Sequence, residues 1–386
     1  MPTAFDVRAL ASTVRVELDD SLSSDEQQAI AAQWSDLIVD DGDAPHRTIS
    51  AGVSGMLAED GAPTVVAPSA DILADLIATE ITHQGITELR GQALMLHAAA
   101  ASLDDGRVVG FVGPSGRGKT TASRALGTVF GYVTDETLAV RPDGAVVPYP
   151  KPLSLGERPG HKRTEGATAL GLKPAAEAPL RLAAIVLLDR QADVAEPILV
   201  HVPLTEVLAE LVPQTSFLPE LENPLNTLAE LVVSTGGVRR AVYAEADTLP
   251  GLVEQILANP SDDGDPRLTE VATPERDCDC FKHLLPEQYP DAEQPRGDGP
   301  AGTFRRATHR DALMVDDQLL VLVPGTVTVL DGIGPIVWLA ANDSTEAEIT
   351  AAAVRQLPEP PEGVDPSMVV SAAIRDLVEA GLLVAF

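Results

Sequence analysis

The chain has 386 residues, 45% hydrophobic but only 3% aromatic, and a formal net charge of −31. That length predicts two or three domains, with cores resting on Ala, Val, Leu and Ile. So acidic a surface disfavours nucleic acid and anionic lipid as partners. No apolar run reaches the roughly 18 residues a membrane span needs, and the start M-P-T-A-F-D-V-R lacks the pattern of a signal peptide, so a cytoplasmic home is expected.

Residues 1–90 read as an α+β lead-in region. Val14-Arg15-Val16-Glu17-Leu18 alternates as a strand does. Ser24 is placed to cap a helix that runs to Leu37, with Gln27 three residues on. A second helix is expected from Ser69 to Gln84, with Gly85 as its stop.

Residues 91–258 read as an α/β nucleotide-binding core. Ala93 to Ala100 is an apolar run, Arg107 to Val112 a strand, Thr120 to Leu126 the start of a helix, and Gly131 to Thr134 leads into another strand. Leu182 to Leu188 is apolar throughout, as in the buried centre of a parallel sheet. Leu249 to Leu257 predicts a closing helix.

Residues 259–303, rich in Asp, Glu, Pro and Gly, read as a linker, and its neighbouring Cys278 and Cys280 make neither a staple nor a zinc site. Residues 304–386 read as a small winged-helix-like unit. A hairpin is expected around Pro324-Gly325, then a short helix from Gly334 to Ala341. A second helix is capped by Asp343 or Ser344, a third starts at Asp365-Pro366, and a strand closes the chain near Leu382 to Phe386. The few basic residues of this unit stand among many acids, which disfavours DNA binding.

The chemistry lies in Gly113-Pro114-Ser115-Gly116-Arg117-Gly118-Lys119-Thr120, the pattern G-x-x-x-x-G-K-[ST] between an apolar strand and a helix. Its glycines turn backbone N–H groups toward phosphate oxygens, Lys119 reaches the terminal phosphates and the Thr120 hydroxyl ligates magnesium. Thr121 follows at the helix N-terminus, whose positive end favours phosphate. The loop therefore predicts ATP or GTP with Mg2+. Between Arg107 and Arg163 nine basic residues face four acids, a local charge of +5 that suits a polyphosphate. A downstream acid must hold magnesium or activate a nucleophile. Asp135-Glu136 after a strand is the first candidate, and Asp189 is its rival. His97, alone in L-M-L-H-A-A-A-A, reads on its chemistry as a core residue. Lys151, Arg158, His161, Lys162 and Arg163 form either a mobile phosphate or substrate clamp or a solvated basic loop.

The succession L-H-A-A-A, G-F-V-G-P-S-G-R-G-K-T-T and Y-V-T-D-E resembles HPr kinase/phosphorylase and its shorter kinase relatives, over about residues 90–258. The resemblance implies a P-loop core of that type and an active site of His97, Lys119 and Asp135. Asp135 would deprotonate the acceptor hydroxyl, and Glu136 would lie near magnesium with Thr120. The second acid is Glu where the family usually has Asp, and the bifunctional enzymes' later signature is missing, so phosphorylase activity is not implied. L-V-L-V-P-G-T-V-T-V-L-D-G-I-G-P-I-V-W-L, with a later E-A-G-L-L-V, resembles PqqD, which implies capture of a leader peptide as an added strand.

Together these resemblances imply a kinase acting on a Ser or Thr hydroxyl of a peptide or protein in a ribosomal-peptide modification pathway. Two other readings stay open: a nucleotide-binding or ATP-hydrolysing partner that recruits a peptide to another enzyme, and a small-molecule kinase. The acceptor, the choice of nucleotide and the oligomeric state are open.

Overall fold

The computed structural model describes residues 3–40, 44–54, 64–114, 116, 118–156, 163–258, 266–272, 299–323, 325–357 and 365–386. It is a mixed α/β protein of several sheets. Two compact units divide the chain. The first holds residues 1–202, 214–222 and 230–262, and the second holds 203–213, 223–229 and 263–386.

In the first unit, β1 (Thr3–Ala9) and β2 (Ser12–Leu18) pair antiparallel, and β3 (Arg47–Val53) and β4 (Val65–Ala67) extend the sheet in parallel. The alternation seen in the sequence buries Val14, Val16 and Leu18 against helices α1 (Ser24–Gln33) and α2 (Ala70–Glu88). Ser23, rather than Ser24, caps α1, because its hydroxyl and the Glu26 carboxylate close a capping box. This helix ends at Gln33 instead of Leu37, with Trp34 as C-cap and fully buried.

Ser69, read as the helix's first residue, is the N-cap of α2, and Gly85 does not stop the helix. A Cβ at Gly85 would lie 2.9 Å from the Ala9 carbonyl oxygen, so the glycine is the point where the helix meets β1 most closely. The core under α1 and α2 continues through Ala93, Met95, Ala139 and Tyr149, which belong to the region expected to fold apart from residues 1–90.

The central sheet is built on β5 (Leu94–Ser102), β6 (Arg107–Val112), β7 (Gly131–Thr134) and β8 (Thr137–Val140). It also holds β9 (Arg181–Arg190), β10 (Ile198–Val202) and β11 (Val238–Tyr243), with two-residue strands at its margins. Its order is β7-β5-β6-β9-β11-β10, with Lys173–Pro174 outside β7. β6, β9 and β11 run parallel, and β5 runs against both β6 and β7. Near-continuous burial of β6 and β9 explains their apolar runs. Helix α3 (Lys119–Gly127) packs on one face, where Ala99 and Ala101 of β5 share a core with its Ala122 and Leu126. Alanines on the strand let that helix lie close. α4 (Pro250–Ala258) completes this face with Leu252, Val253 and Ile256.

In the second unit, β12 (Leu268–Glu270), β14 (Asp311–Val315), β15 (Gln318–Val323) and β16 (Thr326–Leu330) make one antiparallel sheet. β12 lies inside the stretch read as linker; Cys278 and Cys280 lie outside the described residues. In a three-stranded sheet β13 (Thr303–Arg306) lies between β17 (Asn342–Thr345) and β18 (Leu383–Ala385). Helices α5 (Gly334–Ala340), α6 (Glu346–Gln356) and α7 (Pro366–Glu379) bury Trp338, Ile349 and Ile374 together. Thr345, not Asp343 or Ser344, caps α6 in a capping box with Glu348, and Asp365 caps α7. Residues 203–213 and 223–229, read as part of the nucleotide core, count with this unit. There the buried Asp311 carboxylate accepts the Leu225 N–H at 3.0 Å.

Replacing Gly85 by Ala should force α2 away from β1 and destabilise the first unit by about 1–3 kcal/mol. A urea titration of the variant against the wild type reads this as a lower midpoint at unchanged slope.

Candidate active site

Strand register gathers the sequence-predicted residues at one end of the central sheet. Val112, the last residue of β6, pairs with Ala98, and Thr134, the last of β7, pairs with Ala100. Gly113 and Asp135 therefore leave the ends of the two strands that flank β5, beside the half-buried His97. A bulge sharpens the turn: Tyr132 and Thr134 oppose consecutive residues of β5, leaving Val133 extra, and the Val133 carbonyl accepts the Tyr149 N–H at 3.0 Å. The Thr134 hydroxyl accepts the N–H groups of Glu136 and Thr137, both at 3.2 Å, and the Glu136 carbonyl accepts from Ala98 at 3.0 Å. The acidic pair thus sits on a backbone tied down on both sides.

In the glycine loop, Gly116 (φ +79°) and Gly118 (φ +90°) adopt left-handed conformations that side chains disfavour. Gly118 is the N-cap of α3. Ser115 and Arg117 lie outside the described residues. Lys119 is buried and donates to the Gly113 carbonyl at 2.7 Å and the Pro114 carbonyl at 3.2 Å. Burial lowers its pKa to about 8, against the opposing pull of Glu136 and Asp135. Thr120 donates to Asp135 Oδ2 at 3.3 Å, and Thr121 is exposed in the first turn.

Asp135 is buried, and its Oδ1 accepts from Tyr132 Oη at 3.2 Å. Lys151, read from the sequence as part of a surface clamp, is instead buried against the acidic pair. Its Nζ lies 2.9 Å from Glu136 Oε2 and 3.5 Å from Asp135 Oδ1. Burial would discharge this lysine, but the two carboxylates outweigh that effect and hold its pKa above the ordinary value. The Lys151 carbonyl also accepts from Tyr132, at 3.0 Å, and its N–H donates to the Tyr149 carbonyl. Tyr149 in turn shares a 2.9 Å hydrogen bond with Thr82 of α2. Of the other clamp residues, Arg163 is exposed and paired with Glu165, and Arg158, His161 and Lys162 lie outside the described residues.

The surroundings of His97 favour its neutral form. Burial and then the Lys119 charge lower its pKa, opposed by Glu136 and Asp135. Asp189 is the penultimate residue of β9 at the same sheet end, but its carboxylate accepts from Gln191 at 2.8 Å, and the loop threonine turns to Asp135. Sequence reasoning missed three residues here. Tyr132 and Thr134 position the acids; their signal was place alone, in the strand that leads into them. Tyr243 has a buried hydroxyl that finds no hydrogen-bond partner among the described residues, 3.9 Å from where a Cβ on Gly118 would stand.

Thr120 Oγ1 and Asp135 Oδ2 fit a shared magnesium. Two hard oxygens at 3.3 Å need little movement to reach the roughly 2.9 Å edge of an octahedron with bonds of about 2.1 Å. Glu136 Oε2 fits less well, since an ammonium already faces it. The site therefore offers one buried cation on its acids, a second lysine at the phosphate loop and oxygen ligands between them. Cations and oxygen ligands so placed can hold and polarise a phosphorylated ligand.

Lys151→Met would leave two carboxylates without their buried counter-charge, and we expect it to cost about 3–5 kcal/mol of stability in a denaturation experiment. Were a nucleotide to bind at Lys119, its affinity should fall as pH rises through about 8, the pH above which burial leaves the lysine neutral. Calorimetric titration from pH 7 to 9 should show the loss, and Lys119→Met should bind weakly without that step. No protein-family model matches the chain, and no curated protein matches it either.

Proposed function

We propose that this chain is a magnesium-dependent kinase of the HPr kinase-like type, which passes the γ-phosphate of ATP or GTP to a Ser or Thr hydroxyl of a peptide or protein. The observation that carries this reading is the set of contacts at one sheet end: Lys119 under the glycine loop, Thr120 bonded to Asp135, and Lys151 between Asp135 and Glu136. The acceptor oxygen attacks the γ-phosphorus, the bond to the bridging oxygen breaks, and the nucleoside diphosphate leaves. The acceptor's proton passes to the acidic pair. Lys119 offsets the charge on the transferring group, and Thr120 and Asp135 would hold a magnesium that adds to that stabilisation.

The second unit supports a peptide acceptor. Its order α5-β17-α6-α7-β18 suits a winged-helix-like, PqqD-type fold. Its strand β18 pairs on one side with β13 and carries the exposed Val384, and α7 exposes Met368 and Val369. A leader peptide added to such an edge would raise the effective concentration of its own acceptor residue. A cytoplasmic setting, with its nucleotide and magnesium, accords with this chemistry.

Incubation with γ-labelled ATP, magnesium and a co-encoded precursor peptide should label the peptide. Lys119→Ala should abolish nucleotide binding and labelling together, and removing residues 304–386 should raise the peptide KM. Tight ATP binding by the wild type without transfer to peptide would contradict the kinase reading. Transfer to a free metabolite that survives removal of 304–386 would make it a small-molecule kinase instead.

A further inference from the structure

The resemblance assigns the first acid to the acceptor and the second to the metal, but the contacts of the two side chains differ in a way that bears on this order. Asp135 is buried at 5% side-chain exposure, and both of its oxygens are engaged: Oδ2 by Thr120, Oδ1 by Tyr132 and Lys151. Its bond to the loop threonine puts two hard oxygens 3.3 Å apart, close enough to share one ion after a small movement, and a phosphate loop's threonine is its usual magnesium donor. Glu136 is more open, at 38%, and its Oε2 lies 2.9 Å from Lys151 Nζ. Lys151 is itself buried and anchored, since its ammonium also donates to the Pro152 carbonyl at 3.3 Å and its backbone is bound to Tyr132 and Tyr149. A second divalent cation at Glu136 would have to displace that ammonium or stand beside it, at a cost in like-charge repulsion.

We propose that the site binds one divalent ion, through Asp135 and Thr120, and that Lys151 serves as the permanent cation of Glu136 in place of a second ion. The proposal rests on the nucleotide-site reading above. It reverses the order of the two acids implied by the resemblance, and it makes Lys151 a positioning residue for both.

Manganese in place of magnesium allows the ion to be counted by electron paramagnetic resonance, with ATP saturating and without any acceptor. Wild type should hold one Mn2+ per chain in its nucleotide complex, and two would overturn the proposal. Calorimetry should show that the ion tightens ATP binding in wild type. Asp135→Asn should lose that enhancement by roughly tenfold or more, whereas Glu136→Gln should keep it within about twofold. Loss in Glu136→Gln would overturn the proposal, and this half-exposed, nearly isosteric change keeps the test decisive if Asp135→Asn fails to fold. Failure of wild type to bind ATP at all would instead remove the nucleotide reading beneath it, an outcome separate from a wrong assignment of the acids.

Discussion

Everything at the candidate site depends on one buried ammonium. Two adjacent carboxylates at the end of a buried strand repel each other and resist desolvation, and neither effect is tolerable without a counter-charge. Lys151 supplies it, 3.5 Å from Asp135 and 2.9 Å from Glu136. The lysine is held by structure that reaches well beyond the site. Its carbonyl accepts from Tyr132, its N–H donates to the Tyr149 carbonyl, and Tyr149 hydrogen-bonds Thr82 on α2. The α+β region at the start of the chain is thereby part of what fixes the acidic pair, through a shared core as well as this bond.

The second constraint is close approach. Ala99 and Ala101 bring α3 down onto β5, and Gly110 leaves no side chain where Leu138 packs, since a Cβ there would lie 2.5 Å from the leucine. The compact sheet brings Thr120, at the start of α3, within 3.3 Å of Asp135, two strands away from the loop's own β6. The glycine loop and the acids are thus brought together by small residues in the sheet rather than by the loop itself.

Much of this was legible in the sequence, for definite reasons. The glycine spacing and its flanking apolar run located β6, the loop and α3 because each depends on local pattern alone. The buried strand β9 was legible from its apolar run in the same way. Helix caps were displaced by one residue where serines stand side by side, since only the reach of Glu26 back to Ser23 decides between them. Gly85 was misread because a glycine late in a helical pattern has two meanings, and close approach to Ala9 is invisible without the partner strand. Lys151 was misplaced because its pairing with Asp135 spans sixteen positions across a Pro-rich segment, a distance over which composition carries no information. The three-residue β12 escaped notice inside an acidic, Pro-rich stretch because so short a strand is defined by its partner, not by its own pattern.

The contacts at the end of this sheet suit a magnesium-nucleotide site organised for phosphoryl transfer. A crystal structure with magnesium and a non-hydrolysable ATP analogue tests it most directly. The triphosphate should lie on the N–H groups of Gly113 to Thr120, with the terminal phosphate at Lys119, the ion on Thr120 and Asp135, and Lys151 still bound to Glu136. An analogue bound elsewhere, or with its phosphates turned away from Lys119 and the acidic pair, would contradict it.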